Sequence, residues 1–486
     1  MTRATGASAT APGMTADDLV AATGGLLVQR SSRPIRGGAV DSRLATGGAL
    51  FVALPGERTD GHRFLAAAVA AGAAALLVSR DPQGDEPALD ALGDVTIVRV
   101  PDTLRALHAV AAAWRRRFSP LTVGITGSIA KTSTKEAVAG VLARRFALLK
   151  TEGNQNNEVG LPLTVLRLGP EHEALVLEMG MYTGGEIRDL AAIALPSIGI
   201  VTTVQPVHLS RIGSLDAIEN AKSELVEALP AAADGGIAIL NADDARVRRM
   251  ATRTAARTVT YGFAPDADVR AEQVTARGFE GMAFRLVTPA GERDAEIPAL
   301  GRLAVHNALA ATAAGLATGM TLDGIAPGLA AASAAPHRSV VLRAGGVTIV
   351  DDAYNASPGS VTAALDLLGG LPGRRIAVLG EMRELGDLHE QGHRSVGAAA
   401  AAILDLLVVV DGLPGGAARG IVEAAADGGL AANRILPAPD AAAAVVALVP
   451  RLVPGDVILV KASRGVELER VVDGLVTALG GAEERA

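Results

Sequence analysis

The chain has 486 residues, 49% of them hydrophobic and 20% charged, with a formal net charge of −7 and only 2% aromatics. That length calls for two to four domains rather than one core. The acidic balance and scarcity of rings argue against a base-stacking nucleic-acid surface and a sequence-independent grip on DNA or RNA. There is no cysteine, so disulfides and thiolate metal sites are excluded, and the composition is compatible with a cytoplasmic location.

Residues 1–13 have no apolar stretch of signal-peptide length and read as a disordered leader. Block one, 14–101, is a small α/β unit. ALFVAL (49–54) and AALLVS (74–79) are its buried strands, and PGERTDGH (55–62) is a polar loop before a helical pattern. Alanine-rich runs at 64–78 and 396–410 are interrupted by glycine or Asp405, so no transmembrane helix and no membrane insertion are expected.

Block two, 102–335, alternates strands and helices, which predicts a parallel sheet covered on both faces. Its strands are TVGIT (122–126), ALVLEMG (174–180), IGIVTTV (198–204) and GIAILN (236–241). TVTYGF (258–263) and alternating runs near 282–287 and 295–300 add a β region, and a helix over 302–319 closes the block. Block three, 336–486, repeats the rhythm with VTIVDD, RIAVLG, LLVVVDG, NRILPA and DVILVKAS. Asp351, Asp352, Asp411, Lys461 and Ser463 fall at strand ends, the edge where open parallel sheets bind ligands. The turn APHRS (335–339) marks the boundary.

The most informative stretch is LTVGITGSIAKTSTKE (121–136). A strand enters a small-residue turn, and Lys131 and Thr132 open a helix. Backbone N–H groups, an ammonium and a hydroxyl able to hold Mg²⁺ would then meet one nucleotide triphosphate. The plainer alternative is an ordinary strand–helix turn with a solvated lysine. The generic phosphate loop has glycine where this chain has Ala130. If that position needs φ > 0 the alanine is strained; if it is right-handed helical the alanine is harmless.

Other segments carry chemistry with an equally plain alternative. Glu178 and His208 end strands and could join Thr132 around Mg²⁺, or could cap a turn and sit partly buried. GNQNNEVGLP (153–162), with Asn154, Asn156 and Asn157, could read a polar substrate or be merely a polar loop. Lys222 could serve the site or be a solvated lysine paired with Glu219 one turn away. DDAYNASPGS (351–360) could present Asp352, Tyr354 and Asn355, or simply end a strand. GEMRELGDLHEQGH (380–393) and KASRG (461–465) have similar double readings.

In order and together, these segments resemble the Mur ligases, ATP-dependent amide-bond-forming enzymes of bacterial peptidoglycan synthesis. The run includes DSRLATGGALFVALPGERTDGH, GITGSIAKTSTKE, TEGNQNNEVGLPLT, LEMGM, PVHLSRIGSLDAIENAKSEL, GRLAVHNALAA, DDAYNASPGSVTAAL, VLGEMRELGDLHEQGH and VKASRG. DDAYNASP favours the branch that adds D-alanyl-D-alanine to UDP-N-acetylmuramoyl-tripeptide. The resemblance implies three α/β domains: a small N-terminal domain, a central P-loop-type parallel-sheet ATPase domain and a C-terminal Rossmann-like domain. It implies ATP and Mg²⁺ as cofactors, the tripeptide nucleotide and the dipeptide as partners, and a monomer.

The resemblance also implies roles. Asp41, Ser42, Arg43, Thr59, Asp60 and Gly61 would hold the uridine nucleotide. Gly127, Ser128, Ile129, Ala130, Lys131, Thr132 and Ser133 would cradle the ATP phosphates, with Asn307, Arg338 and Asp352 toward the adenosine. Thr132, Glu178 and His208 would be the metal ligands, and Lys131, Glu178 and His208 the catalytic set. Asn154, Asn156, Asn157, Lys222, Tyr354, Asn355, Lys461 and Arg464 would face substrate. Some family members carry a carbamylated lysine in the segment of Lys222. Two rival readings are a catalytically silent binder of nucleotide or precursor, and a ligase for a different amino acid.

Overall fold

The computed structural model describes residues 13–56, 59–82, 87–207, 209–332, 334–481 and 484–485. The leader (apart from Gly13) and His208 therefore lie outside the described residues. The chain forms two compact units: Met1–Gly124, Phe146–Met181 and Gly185–Ser197 make the first, and the remainder makes the second.

The first unit begins with a five-stranded sheet of β1 (Leu26–Gln29), β2 (Gly38–Ala39), β3 (Leu50–Val52), β4 (Ala75–Val78) and β5 (Thr96–Arg99), in the order β1-β5-β4-β3-β2. Strands β2 to β5 run parallel to their neighbours and β1 antiparallel to β5. β4 is buried at every residue, as expected of a central parallel strand with both faces covered. Helix α1 (Thr103–Arg115) starts at an Asp102 cap accepting from Leu104 N and Arg105 N. The same unit contains most of β6 (Leu121–Thr126), with β7 (Leu148–Lys150) parallel to β8 (Ala174–Glu178).

The second unit takes up the chain at Ile125. From the end of β6 it passes through a turn into α2 (Lys131–Leu142). It continues with β9 (Ile198–Val201), α3 (Leu215–Glu227), β10 (Ile237–Asn241) and β11 (Arg257–Gly262). β9, β10 and β11 are parallel. β12 (Val269–Ala276), β13 (Met282–Thr288) and β14 (Gly291–Ile297) form the added β region as an antiparallel meander, and α4 (Arg302–Ala317) follows.

A seven-stranded sheet fills the rest of this unit. Its strands are β15 (Val340–Ala344), β16 (Val347–Asp351), β17 (Arg374–Leu379), β18 (Leu406–Val410), β19 (Ile435–Ala438), β20 (Asp456–Lys461) and β21 (Glu484–Arg485), in the order β19-β18-β17-β20-β16-β15-β21. β16 to β20 pair in parallel and β15 antiparallel to β16. Two aliphatic clusters, around Val350/Leu365/Leu379/Val409 and around Ile349/Val378/Val408/Ile458, cover its faces with Ala, Val, Leu and Ile rather than aromatic rings. Among the described residues no helix is long and apolar enough to cross a membrane.

One strand departs from expectation. IGIVTTV was expected to stay in the sheet to residue 204, but β9 ends at Val201. Thr202 N still donates to Thr126 O at the end of β6, but beyond it the Thr203 and Gln205 backbone and the Thr202 and Thr203 hydroxyls bond the turn before α2.

Candidate active site

The turn between β6 and α2 is held almost entirely by that departing segment. Ser128 N donates to Thr203 O at 2.8 Å, and Ile129 N donates to Thr203 Oγ1 at 3.1 Å. Thr202 Oγ1 donates to Ile129 O at 2.6 Å, while Ser128 Oγ donates to Gln205 O and accepts from Gln205 N. Gly127 has φ of 147°, and a Cβ there would lie 1.9 Å from Thr202 Oγ1, so only glycine fits.

Ala130 settles the question its sequence position raised. It is the N-cap of α2 with φ 67° and ψ 6°, the left-handed region where an L side chain costs about 1–2 kcal/mol. Ala130 makes no side-chain cap hydrogen bond. A helix start whose N-cap side chain offers no acceptor suits an anion. Lys131 Nζ folds back to donate to Gly127 O at 2.7 Å. Thr132 Oγ1 accepts from Arg338 Nη2 at 3.3 Å, and Ser133 completes the half-buried first turn. Asn307, nearly buried on α4, accepts from Thr134 Oγ1 at 2.9 Å and thereby pins α4 to α2.

Lys222 is 2% exposed on α3, and burial, then the Lys131 charge, push its ammonium well below the ordinary lysine range. The plainer of the two readings, a solvated lysine paired with Glu219, is overturned by that burial. Glu219 is taken by Arg246 at 2.6 Å and by Arg249, and two guanidiniums outcompete one buried amine. The arginines come from the helix after β10, a contact no helical spacing on α3 announces.

In the first unit, Glu178 ends β8 at 2% exposure. Its Oε1 accepts from Asn156 Nδ2 at 2.7 Å, and its amide donates to Thr151 Oγ1. Oε2 is buried with no hydrogen-bond partner among the described residues. A buried carboxylate oxygen left without a donor is the condition a bound cation satisfies. The amide-rich loop is engaged with its own structure. Asn156 O accepts from Gly180 N and Asn157 Oδ1 from Gly160 N at 2.9 Å, while Asn154 and Gln155 are exposed.

The residues expected to hold uridine also shape their own loops. Asp41 accepts from Arg43 N, and the Arg43 guanidinium lowers its carboxyl to about 2. Ser42 lies within that turn, and Arg43 is exposed. Asp60 accepts from His62 N and pairs with His62 Nδ1 at 2.7 Å and with Arg80. His62, buried and accepting from Ser79 N at 2.9 Å, went unnoticed in the sequence. Gly61 is required because a Cβ would reach Ala53 Cα at 2.8 Å, and Thr59 is exposed just before it.

In the C-terminal sheet, the parallel register of β16 and β20 brings Asp352 beside Lys461. Lys461 Nζ donates to Asp352 Oδ2 at 2.5 Å and to Asn355 O at 2.9 Å. Asp352 Oδ1 also accepts from Ser339 N. The Tyr354 ring carries the Arg338 guanidinium at 4.1 Å and that of Arg464 at 5.7 Å. Arg464 also pairs with Glu469. Arg338 thus joins the phosphate-loop helix to the DDAYN loop. Sequence reasoning missed its support: His337 and Ser339 on either side have φ of 57° and 54°, and His337 Nδ1 meets the buried Asp351 at 2.7 Å. Burial raises the Asp351 carboxyl above the ordinary range.

Comparisons with known proteins agree along the chain. Residues 34–115 match a model described as Mur ligase family, catalytic domain; 125–315 match Mur ligase middle domain; and 337–464 match Mur ligase, glutamate ligase domain. The UDP-N-acetylmuramoyl-tripeptide--D-alanyl-D-alanine ligase of Escherichia coli is 40% identical over 366 residues, covering 74% of this chain and 78% of that protein. A crystal structure of MurF from Acinetobacter baumannii superposes with a TM-score of 0.84 at 30% identity, covering 96% of this chain and 99% of that one. MurF from Thermotoga maritima, solved in complex with ADP, gives 0.79 at 29% identity over 91% and 98% of the two chains. With a relative this similar over most of its length and three family domains in sequence, the chain belongs to the Mur ligase family.

Proposed function

We propose that this chain is the ATP-dependent, ADP-forming ligase that joins D-alanyl-D-alanine to UDP-N-acetylmuramoyl-tripeptide, a step of peptidoglycan precursor synthesis. The likeness to ligases of that name across most of the chain is the observation that carries the reading. The terminal carboxylate of the tripeptide attacks the γ-phosphorus of ATP. A carboxyl O–P bond forms, the bond to the β-phosphate oxygen breaks, and ADP leaves. The amine of the dipeptide then attacks the acyl carbon, loses a proton, and phosphate departs with its electron pair. No protein nucleophile is required, so the chain's work is positioning and charge stabilisation.

The loop Gly127–Ser133 is assigned to the ATP phosphates, with Lys131 swinging from the Gly127 carbonyl to a phosphate oxygen. Arg338 exchanges the Thr132 hydroxyl for the nucleotide, and Asn307 and Asp352 lie toward the adenosine. Thr132 and Glu178 have the donor chemistry for Mg²⁺, supported by the unpartnered Glu178 Oε2, and His208 is assigned with them. Bound there, the ion would neutralise phosphate charge. Asp41, Ser42, Arg43, Thr59, Asp60 and Gly61 are assigned to the uridine nucleotide. The amide loop, Lys222, Tyr354, Asn355, Lys461 and Arg464 are assigned to the peptide ends. Blocks 14–101, 102–335 and 336–486 are the corresponding domains of a cytoplasmic monomer.

The test is phosphate release from ATP. It should require both the tripeptide nucleotide and D-alanyl-D-alanine; release driven by a single amino acid would overturn the substrate assignment. ATP binding without turnover, with turnover restored by Ala130→Gly, would favour a silent binder.

A further inference from the structure

The segment Thr202–Gln205 starts beside the end of β6, where Thr202 N donates to Thr126 O at 3.0 Å, and the phosphate loop is one of several neighbours it meets beyond that point. Thr203 and Gln205 bond Ser128 and Ile129, as described. Thr202 O and Val204 N turn toward the last residue of β10 and the loop after it. Asn241 Nδ2 donates to Thr202 O at 2.8 Å, and Asp244 Oδ2 accepts from Val204 N at 2.8 Å. Both side chains are fixed from behind. Asn241 is 4% exposed and its Oδ1 accepts from Asp243 N at 2.9 Å. The other Asp244 oxygen caps the following helix, accepting from Arg246 N and Val247 N.

We infer that Asn241 and Asp244 are positioning residues for the ATP phosphates: they hold Thr202–Gln205 in the one path that keeps the 127–130 turn in its anion-binding form. This rests on the assignment of that turn to ATP. The turn needs external support because it contains a left-handed alanine, and that alanine is an N-cap without a side-chain hydrogen bond. Its Ser128 and Ile129 bonds, apart from that of Lys131, run to this segment. Removing either outer anchor leaves a buried backbone group unpaired and lets the segment move. A small displacement of groups that must meet a transferring phosphoryl is felt in catalysis far more than in folding.

The experiment measures steady-state KM for ATP, the tripeptide nucleotide and D-alanyl-D-alanine, the Kd of MgADP by calorimetry, and Tm. The variants are Asn241→Ala, Asn241→Asp and Asp244→Asn in the full chain, with Lys131→Ala as control. Asn241→Asp keeps the acceptor for Asp243 N but loses the donor to Thr202 O; Asp244→Asn keeps one cap acceptor but offers Val204 N an amino group. Each is expected to raise the ATP KM and the MgADP Kd by about 5- to 20-fold while the other two KM values stay within about twofold. Adding Ala130→Gly, which removes the strain the anchors restrain, is expected to recover part of the loss; a purely structural role would leave the two effects additive. A fall in Tm with all three KM values unchanged, or equal rises in all three, would overturn the inference. If Lys131→Ala damages ATP use and these variants do not, the inference alone fails. If Lys131→Ala also leaves ATP use intact, the phosphate-loop assignment itself is wrong.

Discussion

The hydroxyl of Thr202 donates to the carbonyl of Ile129 at 2.6 Å, across the space that any side chain at residue 127 would need. Gly127→Ala therefore has to displace that hydroxyl or distort the turn. It should lower stability by about 2 kcal/mol or more and weaken nucleotide binding at least tenfold, read by thermal unfolding and MgADP calorimetry. An unchanged Kd would show that the turn tolerates a side chain.

Ala130 offers the opposite experiment. At φ 67° glycine relieves the left-handed penalty, partly offset by its greater freedom when unfolded, so Ala130→Gly should gain about 0.5–1 kcal/mol net. A Tm that falls instead would show that the alanine methyl has a packing role there.

Glu178→Gln keeps the shape and the acceptor for Asn156 but removes the negative charge. The variant should need several-fold more Mg²⁺ for half-maximal activity, with little change in Tm. An identical Mg²⁺ titration would remove Glu178 from the metal's ligands.

Lys222 gives a pH prediction. Its folded pKa lies below its unfolded one, so the unfolded chain binds more protons in the window between the depressed value and the ordinary lysine value of 10.5. Stability attributable to this residue therefore rises with pH through that window. Compared with Lys222→Met, the wild type should gain stability as pH is raised toward the ordinary lysine value; parallel pH profiles would contradict a lowered folded pKa for this amine.

Much of this arrangement was legible in the sequence. Strand, small-residue turn and Lys131–Thr132 lie within sixteen consecutive residues, where local periodicity and helix-start chemistry suffice. What was not legible depends on pairings between distant segments. Lys461 meets Asp352 only through the β16–β20 register, 109 residues apart in sequence. Lys222 looks solvated on its own helix but is buried, and the Glu219 expected to pair with it is held by Arg246 and Arg249. Thr202 and Thr203 look like continuing strand because β-branched residues favour strands; their hydroxyls serve the turn instead.

The chain contains three tyrosines, and one of them, Tyr354, is the surface on which Arg338 rests while it reaches the Thr132 hydroxyl. A change in ring size or polarity at residue 354 thus bears, through that guanidinium, on the Thr132 hydroxyl more than two hundred positions upstream. Should the 351–360 loop read the dipeptide as proposed, its preference and the affinity for ATP would not vary independently, because both would bear on the same guanidinium.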